Sequence, residues 1–343
     1  MKALVLKEYN YLSYENVPDP ECRADDVIVG IKACGICGSD VHGMDGSTGR
    51  RIPPLIMGHE ASGVIKEVGS NVKNWKPGDR VTFDSTIYPL DDWYTKEGYY
   101  NLSDNRQVIG VSCDEYKREG AFAEYLAVPR HILHRIPDSV IFNQAALAEP
   151  AAVAMHAVNL TPVSLADTAV VIGTGVIGLF VVQILKLKEC SQVIAVDIQQ
   201  SHLELASRFG ADFVLNADNQ DVIREIYTHT KDRGADIAFE VVGQTSTFQT
   251  AIDSIRKGGT ITLIGNISDR VDLPLQSIVT RQIRLQGSCA ICGEYPDVLN
   301  LIGEGKINVD DMISVTAPLS EGSKWFSRLY NKDPELMKVI LNP

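Results

Sequence analysis

The glycine-bounded turn Gly173-Thr-Gly175-Val176-Ile177-Gly178 constrains the fold more than any other stretch of this chain. It follows Ala169-Val-Val-Ile172, a solid apolar run of the kind that makes a strand buried on both faces. It opens an apolar segment of helical length that runs to Leu187. Strand, glycine turn and helix together form a seat for a dinucleotide pyrophosphate. In that seat Gly173 permits the tight turn, Gly175 lets backbone approach phosphate and Gly178 allows close helix–strand packing. The backbone N–H groups at Val176 and Ile177, at the helix start, face the anion. A glycine motif by itself is also compatible with a structural turn in a non-nucleotide α/β domain, so its context matters. Asp197 ends the next apolar run, roughly 20 residues on, where a carboxylate accepts hydrogen bonds from the adenosine ribose. That carboxylate repels a 2′-phosphate, and Ile198-Gln-Gln-Ser-His202 offers no Lys or Arg to hold one. NAD is therefore expected over NADP.

The strand–helix rhythm continues on both sides of the turn. Further strands are expected at 192–197, 213–215, 235–241 and 260–264, with helices between them, one of them at 201–209 stopped by Gly210. Alternation of this kind predicts an α/β domain with a doubly wound parallel sheet. Residues 1–151 read differently. Short alternating segments at 27–33 and 63–68, and a turn at 76–81 leading into another strand, predict a β-rich domain. From 287 to 343 the rhythm fades, and this tail is expected to rejoin the first domain. The predicted organisation is thus 1–151, 152–286 and 287–343.

The bulk properties bound the function. A formal charge of −12 argues against nucleic acid and against an anionic membrane surface. No apolar run approaches the roughly 20 residues that span a bilayer. The N-terminus reaches an acidic residue too soon for a signal peptide. Seven cysteines, an odd number scattered along the chain, favour free thiols and metal ligands in a cytoplasmic, reducing compartment.

Four residues then read together. Cys37 lies in Cys34-Gly-Ile-Cys37-Gly-Ser39-Asp-Val-His42, His59 and Glu60 lie in Gly58-His59-Glu60-Ala-Ser-Gly63, and Glu149 precedes Pro150. Thiolate, imidazole and carboxylate suit divalent zinc, and three protein ligands leave a fourth position open for chemistry. Glu60 and Glu149 compete for the third ligand position. A Lewis-acid metal lowers the pKa of an alcohol, and a nicotinamide takes the hydride. Ser39 and His42 are candidates to carry the hydroxyl proton outward. The expected partner is therefore a small-molecule alcohol.

Cys34-Gly-Ile-Cys37-Gly-Ser-Asp, Gly58-His59-Glu60 and the glycine turn together resemble the zinc-dependent medium-chain dehydrogenase/reductase family. The closest likeness is to its sorbitol (L-iditol) and 2,3-butanediol dehydrogenase branch. There a Glu-Pro pair matching Glu149-Pro150 replaces the cysteine of liver-type alcohol dehydrogenases. The resemblance runs nearly end to end, including Ile291-Cys-Gly-Glu-Tyr-Pro. It implies a GroES-like catalytic domain, a Rossmann domain, one catalytic zinc, and a homodimer or homotetramer. Many relatives hold a second, structural zinc on four cysteines. Here Pro89, Asp92, Thr95 and Ser103 stand at those positions, so that zinc is expected to be absent. The aromatics Trp93, Tyr94, Tyr99 and Tyr100 are the expected packing substitute. The sorbitol enzymes also carry an aromatic where this chain has Gly43, and an Arg near Ala290. Long polyols are therefore less expected than small diols and other secondary alcohols.

The alternatives are threonine 3-dehydrogenase or a sugar-phosphate dehydrogenase such as one for galactitol phosphate, for which Arg50 and Arg51 could hold the anion, although paired arginines in a loop are more often merely solvated. A zinc-free quinone reductase or a nucleotide-binding non-enzyme is the alternative of another class. Cys289 and Cys292 read as buried small residues beside the cofactor rather than as half of a four-cysteine zinc knuckle with Cys34 and Cys37. His131, His134, His156 and His229 read as packed or surface histidines.

Overall fold

The apolar run ahead of the glycine turn forms the strand Thr168–Ile172, every residue of which is buried. It sits inside a six-stranded sheet of the order Phe213–Asn216, Gln192–Asp197, Thr168–Ile172, Ala235–Glu240, Ile255–Leu263, Arg284–Gly287. All of its pairings are parallel. Parallel strands need crossovers, and the helices Val176–Leu187, Gln200–Arg208, Val222–His229 and Thr245–Ser254 supply them. Val176–Leu187 buries a continuous run from Gly178 to Leu185, which is why it shows no polar face. Gln200–Arg208 buries Leu203 and Ala206 and stops at Gly210, whose φ of +101° suits a residue without Cβ. The strand expected at 260–264 starts five residues earlier, at Ile255, and runs through Gly258 and Gly259. Glycines there look like a turn in sequence, but pairing with Ala235–Glu240 carries the strand across them, with a register shift.

The computed structural model describes residues 1–343 and divides into two units. The sheet just described belongs to the unit formed by Pro150–Ala290 and Lys306–Asn308. The other unit holds Met1–Glu149, Ile291–Gly305 and Val309–Pro343. Its main sheet runs Leu133–Arg135, Arg80–Phe83, Glu60–Val68, Asp26–Gly35, Lys338–Asn342, Ile313–Pro318, with Tyr125–Pro129 also paired to Asp26–Gly35. A smaller sheet joins Tyr11–Asn16, Lys2–Glu8 and Leu55–Ile56. Phe83, Phe122, Phe326, Leu4, Leu6 and Met57 fill the core of this unit.

The tail corrects the expectation of a fading rhythm. Ile313–Pro318 and Lys338–Asn342 are parallel neighbours joined through the helix Gly322–Tyr330, a strand–helix–strand unit in its own right. Lys338–Asn342 then pairs antiparallel with Asp26–Gly35, placing Ile340 opposite Gly35 and Leu341 opposite Cys34. This strand therefore lies beside the segment that leads to Cys37.

The lobe around residues 86–108 also departs from expectation. Trp93 and Tyr99 are exposed, so they are not its core. Tyr100 stacks on Tyr88 at 4.2 Å, and Tyr88 meets His131 edge-on at 4.9 Å. The Tyr100 hydroxyl donates to Asp84 Oδ2 (2.7 Å) and accepts from the Gly293 N–H (2.8 Å). Cys292 is half-buried and donates to the Gly98 carbonyl at 3.0 Å, so it is a clasp on this lobe and not a buried apolar filler. Cys289 is half-buried too, whereas Cys34 is fully buried and donates to the Gly35 carbonyl. The only grouping of three or more candidate metal-binding side chains is the one described next.

Candidate functional site

Two strand ends bring the predicted metal ligands together. Cys37 follows the strand Asp26–Gly35, and Glu60 opens the strand Glu60–Val68, directly opposite Gly35. The ligand atoms of Cys37, His59 and Glu60 lie within 4.8 Å of one another. Glycine makes this approach possible. A Cβ at Gly35 would collide with Glu60 Oε2. At Gly58, whose φ is +95°, a Cβ would press on Cys34 Sγ and the Phe122 ring. Glu149 lies outside the tight group, on the helix Ala148–Asn159, with Oε1 accepting from Ser85 Oγ at 2.9 Å.

These groups share one buried electrostatic environment. Burial pushes the Glu149 carboxyl up to about 8, with His59 opposing the shift and Glu60 and Cys37 reinforcing it. Burial and then Glu60 push the Cys37 thiol up to about 12. Three acidic groups gathered here, Glu60 and Glu149 buried and Cys37 half-buried, are costly to ionise unless positive charge joins them. A divalent cation supplies that charge. A second observation points the same way. His59 Nδ1 and Asp40 Oδ2 face each other at 3.6 Å, both buried and both lacking a hydrogen-bond partner. A metal on Nε2 fixes the ring proton on Nδ1, aimed at that carboxylate. With sulfur, nitrogen and oxygen donors in place, the residues fit zinc.

Sequence reasoning missed the groups that hold these ligands. Lys338 is fully buried and donates to Glu60 Oε1 (2.9 Å), Glu60 Oε2 (2.7 Å) and the Ile36 carbonyl (3.0 Å). Burial alone would lower its pKa, but Glu60 and Cys37 hold it above the ordinary lysine value. One ammonium thus ties down the residue before Cys37 and the residue after His59. The signal was a single cation in the apolar run Lys338-Val-Ile-Leu, but nothing local named its partner. Asp40 stood in the quoted motif without a role, and Ser85 gave no signal at all.

Ser39 Oγ donates to Cys37 Sγ at 3.2 Å and accepts from Arg51 Nη2 at 3.3 Å. His42 is exposed on the same short helix, Gly38–Gly43, and its carbonyl accepts from Ser47 Oγ. No hydrogen bond joins Ser39 to His42. Arg51 corrects the reading of a paired-arginine anion site. It is 4% exposed, and its Nε and Nη2 both donate to Asp40 Oδ1, at 3.0 and 2.8 Å. Only Arg50 remains exposed.

In the other unit the glycine turn is built from backbone. Gly173 has φ +91°, and a Cβ at Gly178 would collide with the Gly173 carbonyl oxygen. A Cβ at Gly175 would stand in open space, the room a phosphate needs. Gly175 caps the helix Val176–Leu187, and no side chain occupies the N–H groups there. Asp197 accepts from the Thr174 N–H (2.6 Å), Thr174 Oγ1 (3.1 Å), and the N–H groups of Ile198 (2.8 Å) and Gln199 (2.9 Å). Its pKa is lowered, because bonds to His202 and these N–H groups outweigh burial. The remaining histidines are packed. His134 stacks on Tyr295 at 4.6 Å and His229 on Phe213 at 3.6 Å.

Residues 23–138 match the alcohol dehydrogenase GroES-like domain, and residues 176–304 match the zinc-binding dehydrogenase domain. A sorbitol dehydrogenase of Bacillus subtilis (strain 168) is 31% identical over 347 residues, covering 100% of this chain and 97% of its own. The chain belongs to the zinc-binding dehydrogenase family. This dehydrogenase is also 31% identical to the D-arabitol-phosphate dehydrogenase of Enterococcus avium, over 98% of its own length and 95% of the relative's. Among solved structures, a zinc-binding dehydrogenase from Sinorhizobium meliloti 1021 bound to NADP superposes with a TM-score of 0.91 at 31% identity, covering 100% and 99% of the two chains. An alcohol dehydrogenase from E. coli CFT073 complexed with NADH gives 0.91 at 28% identity, with the same coverage. The zinc-binding dehydrogenase is thus an oxidoreductase acting on CH–OH donors, with zinc and a nicotinamide cofactor. The zinc-free and non-enzymatic alternatives are set aside. No helix is long and apolar enough to cross a membrane.

Proposed function

We propose that this zinc-binding dehydrogenase holds one zinc per chain and uses NAD to interconvert a small secondary alcohol or short polyol with its ketone. The observation that carries the reading is the Cys37, His59 and Glu60 group, half-buried at Cys37 and buried at the other two, with its orphaned His59–Asp40 pair. Cys37 and His59 would hold the ion. Glu149, with one oxygen on Ser85, has the other available as third ligand, while Glu60 is engaged by Lys338. When bound, zinc supplies a Lewis acid that lowers the pKa of the substrate hydroxyl. Ser39 Oγ, at the exposed edge of the group, takes the hydroxyl proton as its own proton turns from Cys37 Sγ toward solvent, with His42 exposed on the same helix as the outer acceptor. A nicotinamide cofactor, which the turn at 173–178 and Asp197 would hold, would supply the hydride acceptor.

NAD over NADP rests on Asp197, kept ionised where a 2′-phosphate would have to sit. A single zinc rests on the lobe residues Pro89, Asp92, Thr95 and Ser103, none of them a thiol. Sugar-phosphate relatives keep a phosphorylated substrate in view, but Arg51 is spent on Asp40, which favours uncharged alcohols. Threonine-like substrates would be left with exposed Arg50 alone for their carboxylate. Seven unpaired cysteines suit a cytoplasmic, reducing compartment. Self-association as a homodimer or homotetramer is supported by exposed Ile267, Leu273, Leu275 and Val279, just ahead in sequence of the sheet's edge strand Arg284–Gly287. Light scattering on Val279→Glu tests it; an unchanged mass would remove this surface.

The decisive experiment is metal content by mass spectrometry on protein purified without added zinc. One zinc per chain, lost in Cys37→Ser together with NAD-linked activity on a panel of secondary alcohols, is the expected result. Absence of zinc, or activity that survives Cys37→Ser, would overturn the reading.

A further inference from the structure

The geometry points to Arg51 as a positioning residue that sets both Cys37 and His59 for the metal through two intermediaries, Ser39 and Asp40. The inference rests on the zinc reading above. Arg51 is buried, and all three of its guanidinium nitrogens donate. Nε and Nη2 converge on Asp40 Oδ1, Nη1 donates to the Arg50 carbonyl at 2.9 Å, and Nη2 also reaches Ser39 Oγ. The convergence on one oxygen is the telling detail. A fork gripping both carboxylate oxygens would use up Asp40. Here Oδ2 is left free, and it faces His59 Nδ1 at 3.6 Å. On the other arm, Ser39 Oγ accepts from Arg51, so its one proton is aimed at Cys37 Sγ, 3.2 Å away. One rigid planar cation thereby orients a hydrogen bond to the thiolate ligand and an acceptor for the imidazole ligand.

A second feature supports the assignment. Gly43 is buried, and a Cβ there would collide with Arg51 Cγ and press on Cβ. The absence of a side chain at 43 is therefore what admits the Arg51 stem. Positions 43 and 51 therefore act as a pair.

The test compares wild type, Arg51→Met, Arg51→Lys and Gly43→Ala. Zinc dissociation to a chelator and the visible spectrum of cobalt-substituted protein are read alongside thermal unfolding. Losing a partner of this kind typically weakens metal affinity by about 10–100-fold. Zinc should leave R51M faster by that order, with a changed cobalt spectrum in protein that is still folded. R51K keeps the charge but not the fork, and should fall between. G43A should shift the spectrum in the direction of R51M although Arg51 is intact. Should R51M fail to fold, R51K and G43A decide by the same readouts. A lowered melting temperature with unchanged zinc release and cobalt spectrum would show Arg51 to be structural only and overturn the inference. A wild type that takes up no zinc would overturn the underlying reading, and this inference with it.

Discussion

The two units organise their sites by opposite means. Around Cys37, His59 and Glu60 the scaffold is side-chain charge, with Lys338 on Glu60 and Arg51 on Asp40, all buried. Around Gly173, Gly175 and Gly178 it is backbone, and even the one carboxylate, Asp197, is held by main-chain N–H groups. A site for a cation needs buried negative charge, and that charge needs compensating partners whether or not the ion is present. A site for a pyrophosphate needs donors, and a helix start supplies them without placing any charge in the interior. The first kind of site is costly to disturb at its partners, the second at its glycines.

The largest effect should therefore follow from removing a brace. Lys338→Met strands the Glu60 carboxylate in the interior, and urea unfolding should show a loss of about 3–5 kcal/mol. A loss below 1 kcal/mol would mean the pair contributes little and the contrast fails. Next comes acid sensitivity in the charged unit. Burial holds His134 down to about 4, so the unfolded chain takes up its proton first and the contribution of His134 to native stability falls as pH drops from 6.5 toward 4. Asp84, pushed up to about 6, and metal-free Glu149, pushed up to about 8, both by burial, have the opposite sign over most of that window and mask the loss in the wild type. His134→Phe keeps a ring on Tyr295 and should be more acid-resistant than wild type, by at most about 3 kcal/mol near pH 4. Unfolding curves that keep the same pH dependence would assign the acid sensitivity elsewhere.

The glycine turn should respond on a smaller scale and more selectively. Gly178→Ala must push the helix from the Gly173 carbonyl, costing about 1–3 kcal/mol of stability and weakening NADH with it. Gly175→Ala meets open space, so stability should stay within about 0.5 kcal/mol while NADH titration weakens about tenfold. If both glycines lowered stability equally, the turn would be structural and not a cofactor seat. Smallest of all, Asp197→Asn should move the NAD-to-NADP preference by about tenfold, near 1.4 kcal/mol. An unchanged ratio from paired titrations would place the selectivity in another residue.

The same contrast explains what could be read from the sequence. The glycine turn, the strand before it and Asp197 form one local unit whose spacing is set by backbone geometry, so the pattern is visible in a single stretch. The alternation of strands and helices is visible for the same reason. Cys37, His59 and Glu149 were suggested by ligand chemistry, but their supports were not. Lys338 lies 278 positions from Glu60, and no local pattern ties a lysine in an apolar strand to that carboxylate. Arg51 was misread because an arginine in a loop resembles a solvent-facing anion site. Its bonds to Asp40 and the space at Gly43 show that it turns inward. The strand–helix–strand in the tail was overlooked because Ile313–Pro318 has exposed alternate residues and reads as polar.

The place of Lys338 has a consequence for the order in which the molecule is made. Cys37, His59, Glu60 and Glu149 leave the ribosome early, and the whole of Pro150–Ala290 is synthesised before the strand that carries Lys338. Until that strand docks beside Asp26–Gly35, the ligands have neither their neutralising ammonium nor the tether on Ile36. The nucleotide-binding unit, whose parts are nearly contiguous, can fold during synthesis. The metal-binding unit has to wait for its closing strand, so a nascent chain gains its nucleotide seat well before it can retain an ion.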